Sequence, residues 1–173
     1  GGAGGRLGAA PWGLTDFTPA GTRGPRGEEL QRETWAICSS DMMRKGSTGR
    51  IVQSNSFSQD GLAGERFDYF LCNPPFGVEW KKVEKAVRDE AAKLGFSGRF
   101  GAGLHRINDG SLLVLQHMVA KWKPVADGGL RLAIILNGSP LFSSVPGSGG
   151  SDIGGWAREK AWLGPVRGRQ AQL

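Results

Sequence analysis

The run Phe67-Asp68-Tyr69-Phe70-Leu71-Cys72 stops at Asn73-Pro74-Pro75, and that stop constrains the fold more than any other feature of the chain. A short, mostly apolar run ended by proline suits a buried strand. Proline has no amide hydrogen to extend a ladder, and it pushes the residue before it out of helical angles. A second run, Leu130 to Leu136, is the best strand in the sequence. Two helical patterns lie between these runs. Trp80 to Leu94 puts Val83, Ala86, Val87 and Leu94 on one face, and Ser111 to Trp122 does the same with Leu112, Leu115, Val119 and Trp122. Upstream, Thr34 to Lys45 reads as a helix with Trp35, Cys38 and Met42 on one side and Gly46 as its stop, and Arg50 to Phe57 reads as a weak strand or loop. Strand, helix, helix, strand in this order predicts an α/β sheet with helices on its faces. Open sheets of that kind bind ligands beyond the carboxyl ends of their strands. Asn73-Pro74-Pro75-Phe76 and Asn137-Gly138-Ser139-Pro140 each begin at such an end.

Glycine, 29 of 173 residues, is more than twice as frequent as its ordinary share of about 7%, and much of it lies outside the periodic segments. Residues 1–26 hold 8 Gly and 3 Pro with one acid, Asp16, and carry neither helical nor strand period. They read as disordered or foreign to the domain. Residues 95–110 and 137–152 read as glycine-rich loops. The tail after Ile153 begins like a helix and then meets Gly164-Pro165 and a basic end. The expected division is therefore a Gly/Pro-rich segment 1–26, a domain 27–162, and a divergent basic tail 163–173. Limited proteolysis is expected to leave a core near 27–162. The net charge of +6 suits a polyanionic partner such as DNA without requiring one. Cys38 and Cys72 stand far apart and outside any paired spacing, which suits free thiols and a cytoplasmic location. His105 and His117 form no metal-ligand spacing with them. No apolar run approaches the roughly 20 residues of a membrane span.

Asn-Pro-Pro-aromatic after a strand resembles the active-site motif of amino-methylating enzymes that use S-adenosylmethionine, and the chemistry explains its residue types. The exocyclic amine of a purine is a poor nucleophile, because its lone pair is delocalised into the ring. Two acceptors that hold its two hydrogens draw the nitrogen towards tetrahedral geometry, and the Asn73 side-chain oxygen with the Pro74 carbonyl could supply them. The prolines fix the backbone that aims those acceptors. Phe76 could stack on a base flipped out of its duplex, the state in which a base becomes reactive. The plain alternative is a strand ended by an ordinary Asn-Pro-Pro turn.

Three segments together are much more specific than the tetrapeptide: GEELQRETWAICSSDMMRKG, FDYFLCNPPFGVEWKK, and RLAIILNGSPLFS with the following GSGGSDI. In this order they resemble the modification subunit of type I restriction-modification systems, within the N6-adenine DNA methylases. The resemblance spans about residues 27–162. It implies an incomplete Rossmann-like, S-adenosylmethionine-dependent methyltransferase sheet with flanking helices. It also implies adenine-N6 methylation of double-stranded DNA, with a specificity subunit and a restriction subunit as partners. By the same resemblance Asn73, Pro74, Pro75 and Phe76 handle the target base, Glu29 binds the cofactor ribose, and Asn55 lies near the cofactor adenine. Lys81 and Lys82 could touch phosphate or form a solvated helix face.

The sequence departs from that family in three places. No Asp-Pro-Ala-Cys-Gly type of cofactor loop precedes Glu29, nor does a helical domain. Gly150, Gly154 and Gly155 stand where charged residues are usual, and the likeness fades after Leu163. The expectation is a fragment, truncated or out of register at its ends, that binds S-adenosylmethionine weakly or not at all by itself. The competing expectations are a non-catalytic DNA-binding or assembly module of the same fold, and a methyltransferase acting on protein glutamine.

Overall fold

The computed structural model describes residues 14–15, 24–74, 79–129, 131–135 and 149–159. In chain order the elements are β1 (Leu14–Thr15), β2 (Arg26–Glu29), α1 (Arg32–Arg44), β3 (Arg50–Gln53), β4 (Tyr69–Cys72), α2 (Glu84–Leu94), α3 (Ser111–Ala120), β5 (Arg131–Ile134) and α4 (Gly149–Glu159). The five strands form one sheet in the order β3-β2-β1-β4-β5. β2 pairs in parallel with β3, and β4 with β5. β1 runs antiparallel to both of its neighbours, β2 and β4. The four longer strands therefore all point one way, and their carboxyl ends line one edge of the sheet.

Helices cover the sheet because each crossover between parallel strands needs one. α1 makes the β2–β3 crossover and is tied down by Trp35, whose Nε1 donates to the Ile51 carbonyl at 2.8 Å. It ends at Gly46, with φ of 63°, a left-handed position that glycine tolerates at a helix stop. α2 and α3 make the β4–β5 crossover on the opposite face. There Phe70 and Cys72 of β4 meet Phe57, Trp80, Val87, Phe100, Leu113 and Met118 in one buried cluster. A second cluster joins Leu112 and Leu115 of α3 to Ile153 of α4.

The expected α/β class and the incomplete Rossmann-like sheet are what the structure shows. Several boundaries differ from the sequence reading, each for a physical reason. α3 is buried on all sides from Ser111 to Met118, so its apolar pattern marks a central helix and not one face of a surface helix. α4 begins at Gly149, inside the stretch read as a loop, and Ile153 anchors it despite the poor helix propensity of its glycines. β2 is Arg-Gly-Glu-Glu, with none of the branched or aromatic residues that favour strands. Leu14–Thr15 and Arg26 sit in the sheet, within the segment that carries no strand period.

Candidate active site

Register fixes where the predicted residues lie. Leu71 of β4 is opposite Thr15, and Thr15 is opposite Gly27 of β2. Two residues further along both strands come Asn73 and Glu29, which therefore stand level at the carboxyl edge. Two strand spacings separate them, about 10 Å. Directly paired residues share a face, and successive residues alternate. Glu29 and Asn73 thus belong to the face of Leu71, whereas Glu28 belongs to the face of Phe70 and Cys72.

Asn73 is exposed and Pro74 is fully buried. Downstream, Trp80 is also buried, and its Nε1 donates to the Arg106 carbonyl at 2.9 Å. The motif loop is thus anchored in the core at Pro74 on one side and at Trp80 on the other. Pro75 and Phe76 lie outside the described residues, as does Asn137-Gly138-Ser139-Pro140. Cys72, the last strand residue before the motif, has its thiol pushed up to about 12 by burial, so it packs as an apolar group.

Glu29 ends β2 as a buried side chain. Its Oε1 accepts the Gln31 amide at 2.7 Å, and the Leu30 amide also bears on the carboxylate. Burial raises its carboxyl above the ordinary range, against the lowering pull of the Gln31 amide. Asn55 lies just past the end of β3. Its Oδ1 caps its own turn, accepting the amides of Phe57 at 3.0 Å and Ser58 at 3.4 Å. Only its Nδ2 donors could serve a ligand.

The opposite face of the sheet holds a polar cluster that sequence reasoning missed. Glu28 Oε1 accepts Ser54 Oγ at 2.8 Å and the Gly61 amide at 2.6 Å. Its Oε2 stands 3.5 Å from His117 Nε2, and neither atom has another hydrogen-bond partner. His117 Nδ1 lies 2.9 Å from Arg99 Nη1. Arginine can only donate, so Nδ1 accepts, and the ring proton sits on Nε2 facing Glu28. Burial lowers the His117 pKa and keeps the ring neutral. Burial alone would raise the Glu28 carboxyl. The donors around it, His117 first and then Ser54, outweigh burial and hold it at about 2.

Glu28, Asp60 and His117 bring ligand-type atoms within 4.8 Å of one another, a constellation invisible in their spacing along the chain. Cations already occupy it. Lys121 Nζ contacts both Asp60 oxygens at 2.8 Å, and Arg99 faces His117. A metal on His117 Nε2 would move the ring proton to Nδ1, against Arg99. The group therefore acts as a charge-compensated tie between β2, the loop after β3, and α3. Its one sequence signal is polarity in the wrong place: Gln116 and His117 interrupt an otherwise apolar helix.

The family described as N-6 DNA Methylase matches residues 22–151. No curated protein matches the chain significantly in sequence. Among solved structures, the chain resembles a protein from Vibrio vulnificus YJ016 described as a modification subunit of a type I restriction enzyme. The TM-score is 0.53 and the identity 22%, over 78% of this chain and 25% of that one. It also resembles the type I restriction-modification system methyltransferase subunit from Streptococcus thermophilus. There the TM-score is 0.58 and the identity 20%, over 76% of this chain and 26% of that one. The chain thus spans about a quarter of the length of each of these proteins. With Asn73, the first residue of its Asn-Pro-Pro-Phe motif, at the carboxyl edge of a Rossmann-like sheet, the chain belongs to the N-6 DNA methylase family.

Proposed function

We propose that this chain is part of the catalytic domain of an adenine-N6 DNA methyltransferase, in a modification subunit of the type I restriction-modification kind. The observation that carries the reading is Asn73: an exposed polar side chain at the carboxyl end of a buried strand, level with Glu29 and followed by a buried proline. An ordinary turn has no need to present an amide at that edge. S-adenosylmethionine, when bound, supplies an electrophilic methyl group. The Glu29 carboxylate would accept from its ribose, and Asn55 Nδ2 would donate to its adenine. Asn73 Oδ1 and the Pro74 carbonyl would accept the two hydrogens of the target amine and hold its lone pair towards the methyl group. Phe76 would stack on the flipped base. Transfer is then chiefly a matter of positioning.

The partners in this reading are double-stranded DNA, which the net charge of +6 favours, and the specificity and restriction subunits of a type I complex. The fit to the cofactor is one-sided. Glu29 and Asn55 offer the nucleoside contacts, but β1 runs opposite to β2 and β4. A reversed strand cannot lead into a glycine turn at the carboxyl edge, where the backbone would approach the cofactor closely. We therefore read the isolated chain as inactive.

The test is Asn73→Ala in an intact modification subunit, with methylation assayed beside a thermal melt. Methyl transfer should fall by roughly 10²–10³ or more, because a preorganised polar contact made in the transition state is removed. The melting temperature should stay the same. Near-full activity in a folded variant would refute the assignment.

A further inference from the structure

The nine residues after β3 form a loop at the carboxyl edge of the sheet, and side chains from elsewhere hold it along its whole length. Glu28 takes both ends, Ser54 Oγ and the Gly61 amide. Lys121 Nζ binds Asp60 and the Leu62 carbonyl, the latter at 2.6 Å. The middle belongs to Arg99, which comes from a glycine-rich segment 42 residues further on than Phe57. Its Nη1 donates to the Ser56 carbonyl and to His117 Nδ1. Its Nη2 donates to the Phe57 carbonyl at 3.0 Å and to Glu90 Oε2 at 2.6 Å. Its Nε donates to the Glu90 carboxylate at 3.0 Å. All five guanidinium donors are thus engaged. Glu90 is in turn fixed by the Arg99 amide at 2.8 Å, and the fork lies over the Phe100 ring, 4.8 Å from its centroid.

Loops at a sheet edge are ordinarily the mobile part of a fold. This one is gripped at the two carbonyls that follow Asn55, while the Asn55 Oδ1 grips the next two amides from the other side. Of the Asn55 side chain, this leaves Nδ2 to offer a ligand. The geometry points to Arg99 as a positioning residue for the adenine side of the cofactor site: it sets the turn that aims Asn55, without touching the ligand itself. This rests on the function proposed above. A lysine cannot replace it, because an ammonium has three donors and no planar fork.

Arg99→Lys in an intact modification subunit tests the inference. Cofactor binding is read by calorimetry, rates by steady-state methylation, and local order by hydrogen exchange. The expected result is a rise of about tenfold in the dissociation constant and KM for S-adenosylmethionine, the effect of one misaligned hydrogen bond, with kcat at saturating cofactor within about twofold. Amides of Phe57, Ser58 and Gly61 should lose protection while α3 and the strands keep theirs. In an Asn55→Ala background, Arg99→Lys should add little further loss of affinity, since the two act through one contact. If Arg99→Lys fails to fold, Glu90→Gln, which loosens the fork and leaves the arginine in place, is compared with wild type in the same way. Unchanged cofactor affinity in the variant, with a wild type that binds and methylates, overturns the positioning role alone. Loss of protection throughout the molecule also overturns it, since Arg99 would then serve only stability. A wild-type subunit that does not bind S-adenosylmethionine overturns the proposed function and this inference together.

Discussion

Glu28 has an oxygen shielded from solvent whose nearest ionisable neighbour is a neutral imidazole 3.5 Å away. Its environment explains both its charge and its importance. Glu28→Ala would strand the Ser54 hydroxyl, the Gly61 amide and the His117 Nε2 proton in a dry site. The expected loss is about 3–5 kcal/mol, read as a drop in the thermal or urea midpoint. Glu28→Gln keeps the acceptor for Gly61 but turns an amide donor towards the His117 proton, so it should lie between alanine and wild type. The pH dependence follows from two shifts of the same sign. The unfolded chain takes up protons more readily than the folded one at both groups, so acid favours unfolding. His117, lowered from 6.5 by burial, makes stability fall as pH drops below about 6.5. Glu28, held at about 2 against an ordinary 4.5, adds a further fall between those values. Melts recorded from pH 7 to pH 3 check this, and Glu28→Gln should flatten the lower part of the curve. At the motif itself, Phe76→Ala in an intact subunit should weaken capture of the flipped base as well as the rate. Stacking on an aromatic ring is worth about 1–3 kcal/mol per base.

Among the elements, α4 depends most on Ile153, with Trp156 packed beside it. Ile153 is fully buried against Leu112 and Leu115, on a helix whose glycines contribute nothing to packing. Ile153→Ala should cost about 2–5 kcal/mol and release α4 from α3, seen as lost exchange protection confined to that helix. The elements also show what a reader of the sequence can and cannot see. β4, β5, α1 and α2 were legible because their apolar residues recur with the period of the structure they form. The position of Asn73 followed from proline chemistry alone. β2 was not legible, since Arg-Gly-Glu-Glu becomes a strand only through partners as distant as Gly61 and His117. Of α4 only the first turn was hidden by glycine, since the stretch after Ile153 already reads as a helix. The tie around Arg99 and His117 was hidden because its members scatter from residue 28 to residue 121 and meet only after the sheet has formed.

For the molecule as a whole, the isolated chain should bind S-adenosylmethionine weakly or not at all. Calorimetric titration checks this, and micromolar binding would show that the reversed β1 does not exclude the cofactor. The strand order β3-β2-β1-β4-β5 is that of a doubly wound sheet, yet its middle member is two residues long and runs the wrong way. Sheets usually hold best at the centre, where every strand is paired on both sides. Here the described centre offers only Leu14 and Thr15 to β2, and only Thr15 to β4. The sheet therefore has a seam, with β2, β3 and α1 on one bank and β4, β5, α2 and α3 on the other. Buried side chains cross it more firmly than backbone does, with Glu28 reaching from one bank to His117 on the other and Arg99 strapping the β3 loop to α2 and α3. A load drawn across the strands would open the molecule along that line first. Beside the apolar packing of Phe57 and Leu62 on β4 and α3, what resists it is charge and protonation, so the fold should tear more easily in acid than at neutral pH.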